Sequence, residues 1–138
     1  MTSYSNWMRD TLDLDNNPNL TLADISIPGS HDAGMYELTH NLGGGAVCNT
    51  ITQSLDIAGQ LKAGMRYFDL RPYRYNTSIA SSKLYLAHTS SGFGATGAAL
   101  TDVLDDVKAF ADWAALGGRN PREIAYRPAR VLMQDFTG

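Results

Sequence analysis

Apolar and polar positions in the first half of the chain predict a strand followed by a helix. Polar and apolar residues alternate in Asp24-Ile25-Ser26-Ile27-Pro28, which predicts a short strand that ends at the turn after it. From Thr50 the apolar residues change to helical spacing. Thr50 and Gln53 fit a capping box, and Gly64 is placed to end a helix of about three to four turns.

Two strand candidates and a loop follow this helix. Met65–Arg71 is rich in aromatic and apolar residues and halts at Pro72, as a buried strand leaving its sheet would. Lys83–His88 is a further strand candidate. The Ser/Gly-rich segment Thr89–Gly97 after it predicts a loop.

The last part of the chain predicts one helix and one strand. Apolar residues at helical spacing trace one face of a helix, and Gly117-Gly118 would stop it. Arg130–Phe136 has the pattern of a buried strand with a polar end. The order strand, helix, strand, strand, helix, strand predicts an α/β fold with a mainly parallel sheet. The residues of the helical face are Leu100, Val103, Leu104, Val107, Phe110, Ala111 and Ala114.

Chemically versatile side chains fall at the ends of three predicted strands. His31 and Asp32 follow the first strand, Asp69 and Arg71 lie two apart on the same side of the second, and His88 ends the third. Active residues collect at the C-terminal ends of strands in α/β folds. Taken singly, a histidine after a strand is more often a loop residue, and Asp69 with Arg71 more often a structural ion pair. Their occurrence at three successive strand ends favours a site.

Composition narrows the classes of protein and partner. The length of 138 residues suits one domain, 1–138, and 43% hydrophobic with 18% charged residues is ordinary for a chain that folds. The net charge of −3 gives no basic surface for nucleic acid. The N-terminus lacks the features of a secretory signal, and Cys48, the single cysteine, can form no internal disulfide, so the compartment stays open. His40 and Cys48 lack the partners of a metal ligand or nucleophile, and we expect both to be structural.

Three motifs carry a family resemblance. Ile25–Gly34 resembles the first X-box motif of bacterial-type phosphatidylinositol-specific phospholipases C. Thr52-Gln53 followed by Gly64–Arg71 resembles the second block of that family, and Leu84–His88 resembles the strand that carries its second histidine. The resemblance spans roughly Trp7 to Ile124, in the order of the family. It implies a TIM-barrel-like (β/α) barrel that cleaves the phosphodiester between diacylglycerol and inositol phosphate, with the inositol 2-hydroxyl as the attacking group.

The resemblance also implies roles for the residues at the strand ends. Such attack needs a base, an acid and positive charge on the phosphate oxygens. By resemblance His31 is the base and His88 the acid, and Arg71 binds two phosphate oxygens. Asp32 is implied to lie near His88 and the leaving oxygen, and Asp69 to hold Arg71 in position. Calcium-dependent relatives have an acidic residue where this chain has Arg71, which favours the metal-independent branch, with no metal and no cofactor.

The chain departs from the family in its length. A full barrel needs about 250 residues, so this chain supplies about half of one. Val131–Phe136 is similar to the closing strand of the family, in which Asp135 would pair with His31, and an ordinary strand with an acidic end fits equally well. The chain would be an internally deleted or mis-joined product in the first case and a fragment in the second. Open sheet edges predict self-association.

The implied partner is a phospholipid or another inositol phosphodiester. Met35, Tyr36 and Phe93 lie on predicted loops beside the site and could make transient contact with a membrane surface. One rival is a degenerate or truncated family member without turnover. Another is a glycerophosphodiesterase-like or sphingomyelinase-like barrel, which needs a metal-binding carboxylate set and is disfavoured by Arg71.

Overall fold

Helices and strands both occur along the computed structural model, which describes residues 4–13, 15–75, 83–91 and 93–115. The α/β class is therefore confirmed for these ranges. Single turns of 3-10 helix occur at Tyr4–Asn6 and Leu22–Asp24. The α-helices are α1 (Trp7–Leu12), α2 (Val47–Thr50), α3 (Ile57–Lys62) and α4 (Leu100–Ala115). The strands are β1 (Gly29–Ser30), β2 (His40–Asn41), β3 (Tyr67–Phe68), β4 (Pro72–Tyr75), β5 (Lys83–Ser90) and β6 (Phe93–Ala99).

The strands form two sheets of opposite character. β1 and β3 pair in parallel, with Ser30 opposite Phe68. The other four strands form an antiparallel sheet in the order β2-β6-β5-β4. The prediction of a mainly parallel sheet is therefore wrong for the described ranges, and these ranges contain no closed barrel.

The main error of the sequence prediction is the segment Thr89–Gly97. It is not a loop, because β5 extends to Ser90 and β6 occupies most of the remainder. Its small residues reflect close packing. A Cβ on Gly97 would lie 2.4 Å from the carbonyl oxygen of Gly34, so only glycine lets β6 approach that turn. His88 consequently lies inside β5, two residues before its end.

The predicted helix after Thr50 begins later than its capping pattern suggested. Residues 51–56 are not helical, because the amides of Thr52 and Gln53 both donate to the carbonyl of Met35, at 3.0 and 3.2 Å. Asp56 is the N-cap of α3 instead and accepts from the amide of Gly59 at 2.7 Å. The predicted end is confirmed, since Gly64 has a left-handed φ of +103° just after α3.

The strands that carry the candidate site are shorter than predicted. The predicted strand Asp24–Pro28 is not formed: Leu22–Asp24 is a single turn capped by Thr21, and β1 lies further on, at Gly29–Ser30, where the sequence predicted the turn. His31 nevertheless follows directly after a strand, as predicted. β3 is the centre of the predicted strand Met65–Arg71, and Pro72 starts β4 rather than stopping the sheet.

The core lies between the β1–β3 pair, α3, α4 and β5. The predicted helix α4 is confirmed, and it buries Leu100 and Val103 on the predicted face. Gly117-Gly118 and the predicted strand Arg130–Phe136 lie outside the described residues. Among the helices that the structure describes, none combines the length and apolar character needed to cross a membrane. The core cluster consists of Ala33, Ile57, Leu61, Phe68, Leu70, Leu86, Ala98, Leu100 and Val103.

Candidate active site

The turn after β1 sets the direction of the first two candidate residues. The β1–β3 pairing continues past both strands, since the amide of Asp69 donates to Ser30 O and the amide of Ala33 donates to Asp69 O, each at 2.9 Å. Between these two bonds Asp32 adopts a left-handed φ of +46°. Asp is one of the few residues that tolerate this conformation. The turn therefore brings the side chains of His31 and Asp32 to the end of β3, next to Asp69.

Asp32 is the buried centre of the site. Arg71 Nη1 donates to Asp32 Oδ2 at 3.1 Å, and Arg71 Nε lies 2.9 Å from Asp32 Oδ1. His88 Nδ1 also contacts Oδ2 of this carboxylate. His31 Nε2 lies 3.4 Å from the same oxygen. One carboxylate thus faces both histidines and the arginine.

Asp69 forms the second anionic group of the site. Arg71 Nη2 donates to Asp69 Oδ2 at 2.8 Å, and His31 Nδ1 lies 3.2 Å from that oxygen. Burial opposes ionisation of Asp69, but hydrogen bonds from Arg71 and from the amide of Asp32 outweigh it, so that the pKa of Asp69 lies below its usual range. The hydrogen bond to Asp69 in turn raises the pKa of Arg71. Asp69 and Arg71 therefore form a fixed, ionised pair.

β4 and β5 bring Arg71 and His88 together. The amide of Ala87 donates to the carbonyl of Arg71 at 3.0 Å, and the next residue, Pro72, pairs with Leu86. Since β5 continues to His88, the end of the β3 segment meets β5 at this point. The side chains of His31, Arg71 and His88 are 63%, 37% and 35% exposed, whereas that of Asp32 is 1% exposed. The three basic side chains are thus accessible from solvent, whereas the carboxylate of Asp32 that they contact is buried.

The site is better suited to an anion than to a divalent cation. His31, Asp32 and His88 could present one ligand atom each, all within 4.8 Å of one another. However, the guanidinium of Arg71 already lies against both oxygens of Asp32. A cation bound to this carboxylate would be repelled by that fixed positive charge. An oxyanion, in contrast, could accept from the guanidinium and from both imidazoles.

The structure brings together five of the six predicted site residues: His31, Asp32, Asp69, Arg71 and His88. Asp135 lies outside the described residues. The geometry is that of one cluster, and the catalytic roles stay a prediction.

The residues predicted to contact a membrane, and the two predicted to be structural, differ in burial and contacts. Met35 is buried, so it cannot contact a membrane surface, whereas Tyr36 is half-buried and Phe93 is exposed. His40 stacks on Tyr75 with ring centroids 3.9 Å apart, and Cys48 is exposed.

Two supporting contacts were missed by the sequence analysis. Gln53 Nε2 donates to the carbonyl of His31 at 2.6 Å, and Thr52 Oγ1 donates to that of Asp32 at 3.0 Å. Gln53 was predicted to be part of a helix cap. No local pattern distinguishes a capping glutamine from one that donates to the carbonyl of a distant residue such as His31. A third supporting residue, Gln60, is a polar residue beside Leu61 on a short helix. A glutamine on the apolar face of a helix could have identified Gln60, because a buried amide needs hydrogen-bond partners.

Sequence relatives of this chain match different shares of its length. No family model matches it. A PI-PLC X domain-containing protein of Dictyostelium discoideum is 33% identical over 120 residues, covering 78% of this chain and 19% of that protein. A 1-phosphatidylinositol phosphodiesterase of Staphylococcus aureus is 39% identical over 69 residues, covering 50% of this chain and 20% of that enzyme. A shorter match, 68% identical over 34 residues, is to aconitate hydratase A of Pseudomonas aeruginosa, and covers 25% of this chain and 4% of that enzyme.

Solved structures agree with the phospholipase relatives. A phosphatidylinositol-specific phospholipase C of Staphylococcus aureus, solved in a study of its membrane binding, superimposes with a TM-score of 0.55 at 28% identity. The superposition covers 82% of this chain and 32% of that one. The chain thus spans about a fifth of its phospholipase-like relatives and about a third of the solved enzyme. The shared motifs, the agreement with sequence relatives and the superposition lead to one conclusion: the chain belongs to the phosphatidylinositol-specific phospholipase C-like family.

Proposed function

We propose that this chain carries the acid–base site of a metal-independent phosphodiesterase that cleaves phosphatidylinositol or a similar glycerophospholipid. The observation that carries the proposal is the convergence of His31, Arg71 and His88 on the buried carboxylate of Asp32. The three basic side chains are partly exposed to solvent, where an anion can reach them, and imidazole is the side chain that can serve as either acid or base near neutral pH. The two Staphylococcus aureus relatives are named for action on phosphatidylinositol, which suggests the substrate class.

The contacts of each histidine suggest which nitrogen does the chemistry. His31 Nδ1 lies 3.2 Å from Asp69 Oδ2 and His31 Nε2 lies 3.4 Å from Asp32 Oδ2. With the proton held at the shorter of these two contacts, Nε2 is left as the base. His88 Nδ1 faces the carboxylate of Asp32, which can only accept, so His88 Nε2 is the atom that delivers a proton. In the proposed step the inositol 2-hydroxyl loses its proton to His31 and bonds to phosphorus. The bond from phosphorus to the diacylglycerol oxygen breaks, and that oxygen takes the proton of His88.

Arg71 would bind the phosphate throughout this step. Its guanidinium is held by Asp69 and Asp32, so its planar donors have a fixed direction. Stabilisation of the charge that develops on the phosphate oxygens is often the largest single contribution to such a reaction. The exposed ring of Phe93, on the turn side of β6, suits transient contact with the membrane surface that presents the substrate.

A lipid-cleavage assay tests this proposal directly. Vesicles that contain phosphatidylinositol are incubated with the 138-residue chain in the presence of a metal chelator, and water-soluble inositol phosphate is measured. We expect His31→Ala and His88→Ala each to lower turnover by about 10² to 10⁴, the usual contribution of a general acid or base. His40→Ala is the matched control, because His40 stacks on Tyr75 and has no contact with the cluster. Loss of cleavage with chelator, or cleavage that survives His31→Ala, would overturn the mechanism.

The alternative is a family member that has the site but does not turn over substrate. This alternative is favoured by the small part of the solved enzyme that the chain matches, since the superposition covers 32% of that enzyme. Detectable cleavage by the wild-type chain above the level of His31→Ala refutes this alternative. An isolated chain that binds inositol phosphate through Arg71 without cleaving lipid would support it.

We also propose that the chain joins part of a (β/α) barrel to sequence of another origin. The 34-residue match to aconitate hydratase A has about twice the identity of the match to the Dictyostelium protein, and the two proteins are named for unrelated activities. Sequencing of the genomic locus and mass spectrometry of the expressed protein test this, because an uninterrupted phospholipase-like gene would contradict it. Pairing of Asp135 with His31 is a separate proposal, which holds if Val131–Phe136 is the closing strand of the barrel and requires Asp135→Asn to lower turnover.

A further inference from the structure

The turn that carries His31 and Asp32 is tied to α3 by one buried amide. The side chain of Gln60 lies in α3, and the residue is 3% exposed. Its Nε2 donates to the carbonyl of Ala33 at 2.9 Å and to that of Leu55 at 2.7 Å. Its Oε1 accepts from the hydroxyl of Ser30 at 2.6 Å. Ser30 directly precedes His31 and Ala33 directly follows Asp32. Gln60 therefore binds the turn on both sides of these two residues.

This turn needs such support because of its backbone conformation. Asp32 has a left-handed φ of +46°, which Asp tolerates better than most residues but which still costs free energy relative to right-handed backbone. Such a conformation is maintained where several independent contacts from the surrounding structure fix the backbone. Other elements hold the carbonyls within the turn: Gln53 donates to that of His31, and Thr52 donates to that of Asp32. Those two donors act from a partly exposed segment, whereas Gln60 acts from the core.

The chemistry of an amide explains why glutamine stands at this position. The site requires a donor for Ala33 O and an acceptor for the Ser30 hydroxyl at the same time. A glutamine side chain supplies both, whereas an apolar residue of similar size supplies neither. A buried amide is costly unless it is hydrogen-bonded. The side chain of its neighbour Leu61 packs in the apolar core, whereas the side chain of Gln60 makes three hydrogen bonds there.

We infer that Gln60 is a positioning residue, which holds the backbone on both sides of His31 and Asp32 so that the Asp32 carboxylate stays between Arg71 and His88. This inference rests on the proposed function for its importance to turnover, but its structural content can be tested without substrate. Site geometry must be held within about half an ångström for efficient catalysis. Release of the turn would displace Asp32 from His88 Nδ1, and the ring of His88 would lose the acceptor that fixes its tautomer.

Nuclear magnetic resonance of the ¹⁵N-labelled 138-residue chain at one fixed pH provides the test. Gln60→Met removes all three hydrogen bonds at similar volume, and Ser30→Ala removes one of them with little change in packing. Leu61→Val is the matched control, because it weakens the same helix and core but removes none of the three hydrogen bonds of the Gln60 side chain. Hydrogen exchange of the Ala33 amide reports on the turn. The ring nitrogen signals of His88 report on its contact with Asp32.

We expect Ala33 exchange in Gln60→Met to be about tenfold faster than in Leu61→Val at matched global stability, since hydrogen bonds to buried carbonyls are lost. The His88 Nδ1 signal should move toward that of an unprotonated nitrogen. Ser30→Ala should show the same changes to a smaller extent, and it decides the question if Gln60→Met does not fold. Exchange and ring signals that match those of Leu61→Val in both variants would overturn the inference. An absence of lipid cleavage by the wild-type chain would count against the proposed function and leave these measurements intact.

Discussion

We expect Asp69→Asn to lower the free energy of unfolding near neutral pH, and to have much less effect in acid. The substitution keeps the shape of the side chain and removes its charge. Asp69 Oδ2 accepts from Arg71 Nη2 at 2.8 Å, and two longer contacts of 3.3 Å come from Arg71 Nε and the amide of Asp32. In Asp69→Asn, Asp32 would be the one carboxylate of this pair that still balances the charge of Arg71.

The size of the effect follows from these contacts. A hydrogen bond to a charged group contributes about 1.5 to 3 kcal/mol. Here the two 3.3 Å contacts are weak, Arg71 keeps its bond to Asp32, and solvent reaches both partners, whose side chains are 21% and 37% exposed. After allowance for this exposure we expect a loss of about 1 to 2 kcal/mol at pH 7.

The dependence on pH has a definite sign. The pKa of Asp69 is lowered in the folded chain, so its stabilisation is fully present above the unfolded value of about 3.9. It is lost as pH falls through the lower folded pKa. The difference between wild type and Asp69→Asn should therefore be constant from pH 7 to about pH 5 and shrink below about pH 4.

Urea unfolding followed by circular dichroism at pH 7, 5, 4 and 3 measures this difference. Asp112→Asn is the matched control, since it removes the same charge from an exposed pair with Lys108 on α4. We expect the control to have a much smaller effect on stability, because solvent screens this exposed pair. A loss in Asp69→Asn that stays the same from pH 7 to pH 3, or that does not exceed the control, would refute the electrostatic reasoning.

Three further outcomes are expected. Gly94→Ala should cost about 3 kcal/mol or more in thermal unfolding, because its Cβ would lie 2.1 Å from His88 O at a φ of +137°, whereas Gly44→Ala, with open space around it, should cost about 1 kcal/mol. Burial and nearby acidic residues raise the pKa of Tyr36 to about 12, so stability should fall as pH rises from about 10 through 12, and Tyr36→Phe should remove that decline. Size-exclusion chromatography with light scattering should detect self-association, since β4 pairs only with β5 in the described part of the chain, and a stable monomer at high concentration would contradict this.

The sequence located the candidate site better than the fold around it. His31 and Asp32 were placed just after a strand, which is where they lie, although the strand is Gly29–Ser30 and not the predicted Asp24–Pro28. Asp69 and Arg71 could be placed on one side of the chain from their spacing alone. The spacing rule is local and holds, whereas the boundaries of the first strand were wrong.

The errors arose where a distant contact decides the local structure. Gly97 looks like a loop residue until the carbonyl of Gly34 is known to lie against it. Thr50 and Asp56 both fit a helix cap, and the bonds of the following segment to Met35 O select Asp56. Local propensity cannot distinguish such cases, because the deciding atoms are far away in the chain.

The shared carboxylate of Asp32 limits how this site can vary between related sequences. Its replacement alone leaves a guanidinium and an imidazole side by side without the anion between them. Replacement of either basic neighbour leaves a buried anion with one partner fewer, which is costly as well. Substitutions made one at a time therefore pass through a less stable protein. Asp32, Arg71 and His88 should accordingly be inherited together or lost together.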